Sequence, residues 1–493
     1  MPSARPPSRP SFNLDWLQHH PQLFPDGPEL TNNYLNDPWS AVADLLQHQY
    51  WKRVWILQEV VLADPLVLIS PGGAMLDWSI LRETAQTFFL LARKLERENR
   101  RPDFLSDSAW KLLSDPMAWG RLSLLLAAQA RNKIPDPDGI KGWAVSCFAA
   151  NLQATNERDY IYGLLGVSGI QITPDYSPEN KASHVYTKYI AGWLNAARNQ
   201  RTAHIHTPLA FLFLAGIAKH GYSDLPSWVP NYAKGETVVT PWCYGASDFH
   251  SAFRSSLPAD TNTYPYVVEA TQSLFTWGVD LGAVGSTTNP SDSDSAVLSS
   301  FMSLATSFTA RYPQYISGIP SAQAILKLIS MNRQGKVSRE LVDSAMNLTL
   351  CINCFNTFED QPVKKTRGRD WDYGLFDMAF PTTDLKQFGF GPNLIAEINS
   401  WDRTRRTEAL LDIMPPLYDR RFFGTSDVYL GSAKFQVMEG DRLCILSGYM
   451  EPVILRPTAE GSLVFVGTAF AVDMDIENTL QKMKSQGQWF ELW

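Results

Sequence analysis

A chain of 493 residues that is 45% hydrophobic and carries 16 tryptophans excludes a disordered protein and has room for two or three buried cores. Its net charge of -7, with no dense Lys/Arg block, argues against a dedicated nucleic-acid surface. Five scattered cysteines, no secretory leader and no apolar run longer than residues 209–218 predict a soluble, cytoplasmic protein with no disulfide framework and no membrane span.

Residues 1–33 are Pro-rich without apolar periodicity and read as a flexible lead. Asp37-Pro38 supplies an N-cap and a first-turn proline for a helix. Residues 50–63 read as helix, with Trp51, Val54, Trp55, Gln58 and Leu62 on one face. Glu59 lies one turn beyond Trp55. Residues 65–69 read as a short strand ended by Pro71-Gly72-Gly73. Residues 78–97 have helical spacing at Leu81, Phe88, Leu91 and Leu95. A further helix near 118–131 is broken by Pro135-Asp136-Pro137-Asp138-Gly139. Asn156 caps a helix containing Tyr162, with Asp159 in its first turn and Gly166 past its end. Ser177-Pro178 opens a long helix with Ala182, Val185, Tyr189 and Trp193 along one face.

After residue 200 the pattern changes. Residues 274–280 read as a strand entering a turn, 286–296 as a loop, 297–357 as helical and 364–372 as an exposed connection. Short apolar runs at 435–437, 442–446, 452–455 and 463–467, divided by Gly, Pro or charge, predict a small antiparallel or barrel-like module.

Sites with familiar chemistry are scarce. Cys351-x-x-Cys354 has zinc-like spacing without a second ligand pair, and His204-Ile205-His206 lacks a third ligand, so no metal is expected. There is no Gly-rich phosphate loop and no Gly-x-Ser-x-Gly elbow. No cofactor is expected.

The run Tyr50-Trp51-Lys52-Arg53-Val54-Trp55-Ile56-Leu57-Gln58-Glu59 resembles the signature helix of the fungal heterokaryon-incompatibility (HET) domain family, Tyr-Trp-x-Arg-x-Trp-x-x-Gln-Glu. A second block, Arg158-Asp159-Tyr160-Ile161-Tyr162-Gly163-Leu164-Leu165-Gly166, is similar to the family's Arg-Asp-x-x-Tyr-Ala-Leu-Leu-Gly, with Gly163 in place of Ala and Asn156-Glu157 in place of a preceding Asp-Pro. Pro174-Asp175-Tyr176 and Val185-Tyr186 match a third block, and Pro226-Ser227-Trp228-Val229-Pro230 resembles a segment that often follows the domain. The family's opening strand, Tyr-x-x-Leu-Ser-Tyr-x-Trp-Gly, has no counterpart before residue 50, so the chain reads as a HET protein without the first half of its domain.

The resemblance implies an α/β fold, α+β overall. It comprises a partial TIR/flavodoxin-like HET domain rich in helices at 34–200, a mainly helical region at 201–370, and a C-terminal region with a small antiparallel β module at 371–493. It also implies nonself recognition and programmed cell death signalling through other proteins, either self-association or another incompatibility factor. Gln58, Arg158, Asp159, Tyr162, Asp175 and Tyr176 are then family-motif residues. Trp55-Ile56-Leu57-Gln58-Glu59 also has the Trp-x-x-x-Glu spacing of TIR domains that hydrolyse NAD. That likeness implies Glu59 as catalytic acid, with Trp55, Trp51 and Arg53 binding NAD as substrate; the third alternative is an inactive or regulatory relative. A working Glu59 should face a cleft, whereas an idle one should meet solvent or pair with Arg53 or Arg158. The first two blocks should pack together, with Trp51 or Trp55 against Tyr162 and Leu165.

Overall fold

The computed structural model describes residues 44–63, 67–69, 73–84, 107–113, 152–199, 208–217, 224–234, 263–288, 294–330 and 420–493, apart from 47, 74, 435 and 450, together with Phe88, Leu125, Gln129 and Ser400. The lead at 1–33, the His204–His206 pair, Cys351 and Cys354, and the expected connection at 364–372 lie outside these residues. The chain divides into two compact units, Met1–Ala182 with Tyr232–Val238, and Ser183–Asn231 with Val239–Trp493. Both helix and antiparallel sheet are present, an α+β composition. Among the described residues no helix is long and apolar enough to cross a membrane.

In the first unit, residues 50–63 do not form one helix. A single 3-10 turn at Gln49–Lys52 gives way to extended backbone at Arg53, followed by helix α1 at Ile56–Leu62. The break has a cause. Gln153 pairs with Arg53 as a parallel bridge: its N–H donates to the Lys52 carbonyl at 2.5 Å and its carbonyl accepts from Val54 N–H at 2.9 Å. This interruption rotates the helix face. Ile56, Leu57, Val60 and Val61 are buried, whereas Trp55 is only half-buried and Leu62, expected inside, is 52% exposed.

Strand β1 (Val67–Ile69) and strand β2 (Met75–Asp77) pair antiparallel. Asp77 then starts the helical stretch that begins at Trp78, accepting from Ser79 N–H at 2.7 Å and from the Ser79 hydroxyl at 2.6 Å. Those bonds hold its carboxyl below the usual range. Trp51 packs on Trp78 with ring centroids 6.3 Å apart, and its indole N–H donates to the Leu45 carbonyl at 2.7 Å. The Trp78 indole donates to Gln129, whose buried amide donates to the Val60 carbonyl at 3.0 Å. Gln129 thus satisfies a carbonyl near the end of α1 that the helix itself leaves open. Helix α2 (Asp107–Leu113) completes the early elements, with Leu112 and Leu113 buried.

Asn156 opens the next turn as expected: its side chain accepts from Arg158 N–H at 3.1 Å. Helix α3 (Asp159–Tyr162) stops at Gly163, and α4 (Leu165–Ser168) follows at once. The helix that contains Tyr162 thus ends at Gly163, and Gly169, at φ +72, ends α4; Gly166 ends neither. Gly163 and Gly166 instead allow close approach. A Cβ on Gly163 would meet Val54 Cγ1 at 3.2 Å, and one on Gly166 would collide with Gln58 Oε1. The first two sequence blocks therefore pack together as expected, but through Val54, Gln58, Leu62 and two glycines. The indoles take other neighbours: Trp51 sits on Trp78, and Tyr162 packs edge-on against Tyr176.

The second unit is built on a closed sheet. Helix α5 (Ala182–Asn199) starts later than Pro178 and buries Val185, Tyr186, Tyr189, Ile190 and Trp193. Strands β3 (Tyr266–Val268), β4 (Ser273–Thr287), β5 (Arg421–Thr425), β6 (Leu430–Ala433), β7 (Arg442–Leu446), β8 (Val453–Pro457), β9 (Leu463–Ala471) and β10 (Gln488–Leu492) make one sheet. Antiparallel pairings run β4–β5–β6–β9–β8–β7 and return from β7 to β4, closing a barrel. The barrel-like expectation is met, but the module reaches back across residue 371 to take β3 and β4.

Strand β4 makes closure work by pairing with β3, β10, β7 and β5 in turn. Its first part pairs with β7 and β10, its last part with β5, and bulges fall between Asp280 and Ala283 and between Val284 and Ser286. Gly282, at φ +111, takes the bend, and its N–H donates to Asp280 Oδ1 at 2.8 Å. Val279, Leu281, Phe423, Leu443, Ile454 and Val466 fill the core. Helices α6 (Asp294–Arg311) and α7 (Ser321–Ser330) pack against β5 and β6, with Phe301 edge-on to Phe422 at 5.0 Å. Helix α8 (Ile476–Gln486) is capped by Asp475 and packs against β4. Trp228, in the Pro-Ser-Trp segment, is fully buried within this unit and donates to the Gln272 carbonyl at 3.2 Å.

Candidate functional site

The candidate site lies in the first unit, where the motif residues meet. Gln58, on α1, uses both ends of its amide. Its Nε2 donates to the Tyr162 carbonyl at 3.2 Å, and its Oε1 accepts from Gly166 N–H at 3.0 Å. One side chain thus satisfies an acceptor at the end of α3 and a donor in α4.

Tyr162 is buried, and its phenol is the hub of the third block. It donates to the Asp175 carbonyl at 2.9 Å and accepts from Asp175 N–H at 3.1 Å and Asn180 Nδ2 at 3.1 Å. Asn180 also donates to the Asp175 carbonyl at 2.9 Å. That engagement, with the Ser177 N–H bond to Asp175 Oδ1, keeps residues 175–181 in turns and delays α5 until Ala182.

Arg158 and Asp159 do not pair as neighbours. Arg158 Nη1 donates to the Ser177 carbonyl at 2.8 Å and to the Asp175 carbonyl at 3.3 Å, while its guanidinium lies 5.6 Å from the Tyr176 ring centre. Asp159 accepts from the Tyr176 hydroxyl at 2.6 Å. Partial burial, then the Asp159 bond, pushes the Tyr176 phenol up to about 12. Gln58, Arg158, Asp159, Tyr162, Asp175 and Tyr176 therefore form one network. Sequence reasoning missed Asn180, whose signal is its place just after the Pro-Asp-Tyr-Ser turn.

Glu59 stands apart from that network. It is exposed and accepts from the Tyr50 hydroxyl at 2.6 Å, so its partner is neither Arg53 nor Arg158. Trp51 is buried on Trp78 and Trp55 is half-buried at the start of α1. An open groove of about 630 Å³ lies nearby, lined by His48, Gln49, Tyr50, Lys52, Arg53, Gln153, Ala154, Thr155 and Tyr160. Arg53 belongs to it; Glu59, Trp51 and Trp55 do not. Among the described residues, no cluster of His, Cys, Asp and Glu could hold a metal ion.

Burial, then the Glu59 hydrogen bond and charge, pushes the Tyr50 phenol up from 10.0 to about 12. The folded form therefore favours neutral Tyr50. Its contribution to stability is complete below about pH 10 and is lost as pH rises towards about 12. Unfolding midpoints of the native chain and Tyr50→Phe, compared across that alkaline window, should converge as pH rises. A constant difference would show that the Tyr50–Glu59 bond does not link folding to ionisation.

No family model, curated protein or solved structure matches this chain.

Proposed function

We propose that this chain is a heterokaryon-incompatibility-type protein of fungal nonself recognition, which signals programmed cell death in the cytoplasm by assembling with other proteins. The carrying observation is that three blocks far apart in sequence converge on one network. Gln58 of the first block bonds Tyr162 and Gly166 of the second, and Tyr162, Arg158 and Asp159 bond Asp175, Tyr176 and Ser177 of the third. Side chains used this way fix the mutual placement of helices and turns. On this reading the first unit is a partial TIR/flavodoxin-like layer whose role is contact.

The NAD glycohydrolase alternative needs Glu59 beside a bound ribose, where a carboxylate can stabilise positive charge. Glu59 instead lies exposed on Tyr50 and outside the groove. Purified full chain incubated with NAD should release no nicotinamide, and Glu59→Gln should behave identically. Induced expression in a filamentous fungus should arrest growth, and Tyr162→Ala should abolish the arrest by releasing residues 175–180. Turnover lost in Glu59→Gln would overturn the assembly reading in favour of the enzyme. Absence of any growth effect would leave only an inactive relative.

A further inference from the structure

We propose that the groove beside the 3-10 turn binds a small phosphate-bearing ligand. Its lining holds His48, Lys52 and Arg53 and no carboxylate. Among the described residues neither Lys52 nor Arg53 forms an ion pair, and Arg53 is exposed. Two cations with no carboxylate within ion-pair distance, in a concave surface, favour an anion.

The donors around them are held in place. The bridge between Arg53 and Gln153 fixes the backbone that carries both cations. His48 Nδ1 accepts from Tyr50 N–H at 3.2 Å, which leaves Nε2 as the ring's donor. Tyr160 is buried and lines the groove, and Thr155 and Gln153 are exposed polar residues of its lining. The nearby acids are diverted or peripheral. Glu59 holds the Tyr50 hydroxyl, Glu157 acts on Tyr160, and neither lines the groove.

Size narrows the ligand. About 630 Å³ falls in the range of small-molecule sites and exceeds what a bare phosphate fills. The fit is to a phosphate ester or diphosphate with an organic portion. Guanidinium and ammonium groups recognise its oxygens, and Tyr50 and Tyr160 flank the remainder. This inference needs no catalytic role for Glu59 and stands or falls separately from the cell-death reading.

Calorimetric titration of the full chain tests it with four probes: inorganic phosphate, pyrophosphate, ADP, and vesicles of phosphatidylserine in phosphatidylcholine. ADP should bind saturably and more tightly than inorganic phosphate, and added salt should weaken it. The double variant Lys52→Ala/Arg53→Ala should lose at least about tenfold in affinity, Arg53→Lys should fall between, and Lys434→Ala, in the second unit, should match the native chain. Because Lys52 and Arg53 spend no side chain on the core, an unchanged unfolding midpoint should accompany the loss. No saturable binding of any soluble probe, equal binding by the double variant, or binding to vesicles alone would each overturn the proposal.

Discussion

Arg456→Ala should destabilise the barrel unit by about 3–5 kcal/mol, read as a lower denaturant midpoint with an unchanged slope. Asp441 is 2% exposed and lies in the turn before β7. Arg456, on β8, grips it with Nε at 2.8 Å and Nη2 at 3.0 Å, and the same Nη2 reaches the Gln436 carbonyl at 2.6 Å. Met438 N–H completes the cradle at 2.8 Å, and the Asp441 carbonyl accepts from Val284 N–H at 2.7 Å. Deleting the guanidinium strands a buried carboxylate, and that stranded charge is the cost, more than any lost attraction. The double variant Asp441→Leu/Arg456→Met should therefore recover most of the loss. If Arg456→Ala costs under about 1 kcal/mol, the pair behaves as an exposed one and the buried-charge account fails.

Gly166→Val should cost about 3 kcal/mol in the first unit and separate α1 from α4. Any Cβ at this position meets the Gln58 Oε1 oxygen, and Leu62 Cδ1 lies 3.3 Å away. Relief of the clash expels the Gln58 amide, so the Tyr162 carbonyl and Gly166 N–H lose their partners together. Gly166→Val combined with Gln58→Ala should be less than additive, because both remove the same clip. Hydrogen exchange at Gly166 N–H reports the effect directly: fast exchange is expected in either variant, and unchanged protection would reject the clip.

Particular residues show where sequence legibility ended. Local signals worked in part: Asn156 opens the turn that leads into α3, although the N-cap position itself falls at Arg158, and the apolar face of α5 at Val185, Tyr189 and Trp193 is buried as its spacing predicts. Periodicity failed across residues 50–63 because it assumes an unbroken 3.6-residue repeat. A non-local partner, Gln153, pulled Arg53 into extended geometry and turned the following face away from Leu62. Short apolar runs announced β7, β8 and β9, but residues 436–437 are not a strand, β5, β6 and β10 went unmarked, and nothing local told β4 that most of its partners lay beyond residue 420. In the candidate site, the motif residues were legible as a set through resemblance. Their bonding was not, since nothing in the sequence shows that Arg158 and Asp159 each reach forward to residues 175–177. The groove was invisible as a site because its lining joins residues 48–53 to 153–160, two segments with no shared pattern.

Strand β4 also dictates how the barrel comes to be made. It emerges during synthesis well before β5, β7 and β10, with the chain from 288 to 420 still to follow. Until those strands arrive, only Ser273, Leu274 and Phe275 have a partner, in β3, and the rest of the strand carries a row of unmet N–H and C=O groups and apolar side chains such as Val279 and Leu281. Closing so distant a pairing is entropically slow, so maturation of this unit should be delayed until β10 is available. In that interval β4 is the segment a chaperone would need to shield, and the one through which nascent copies would aggregate.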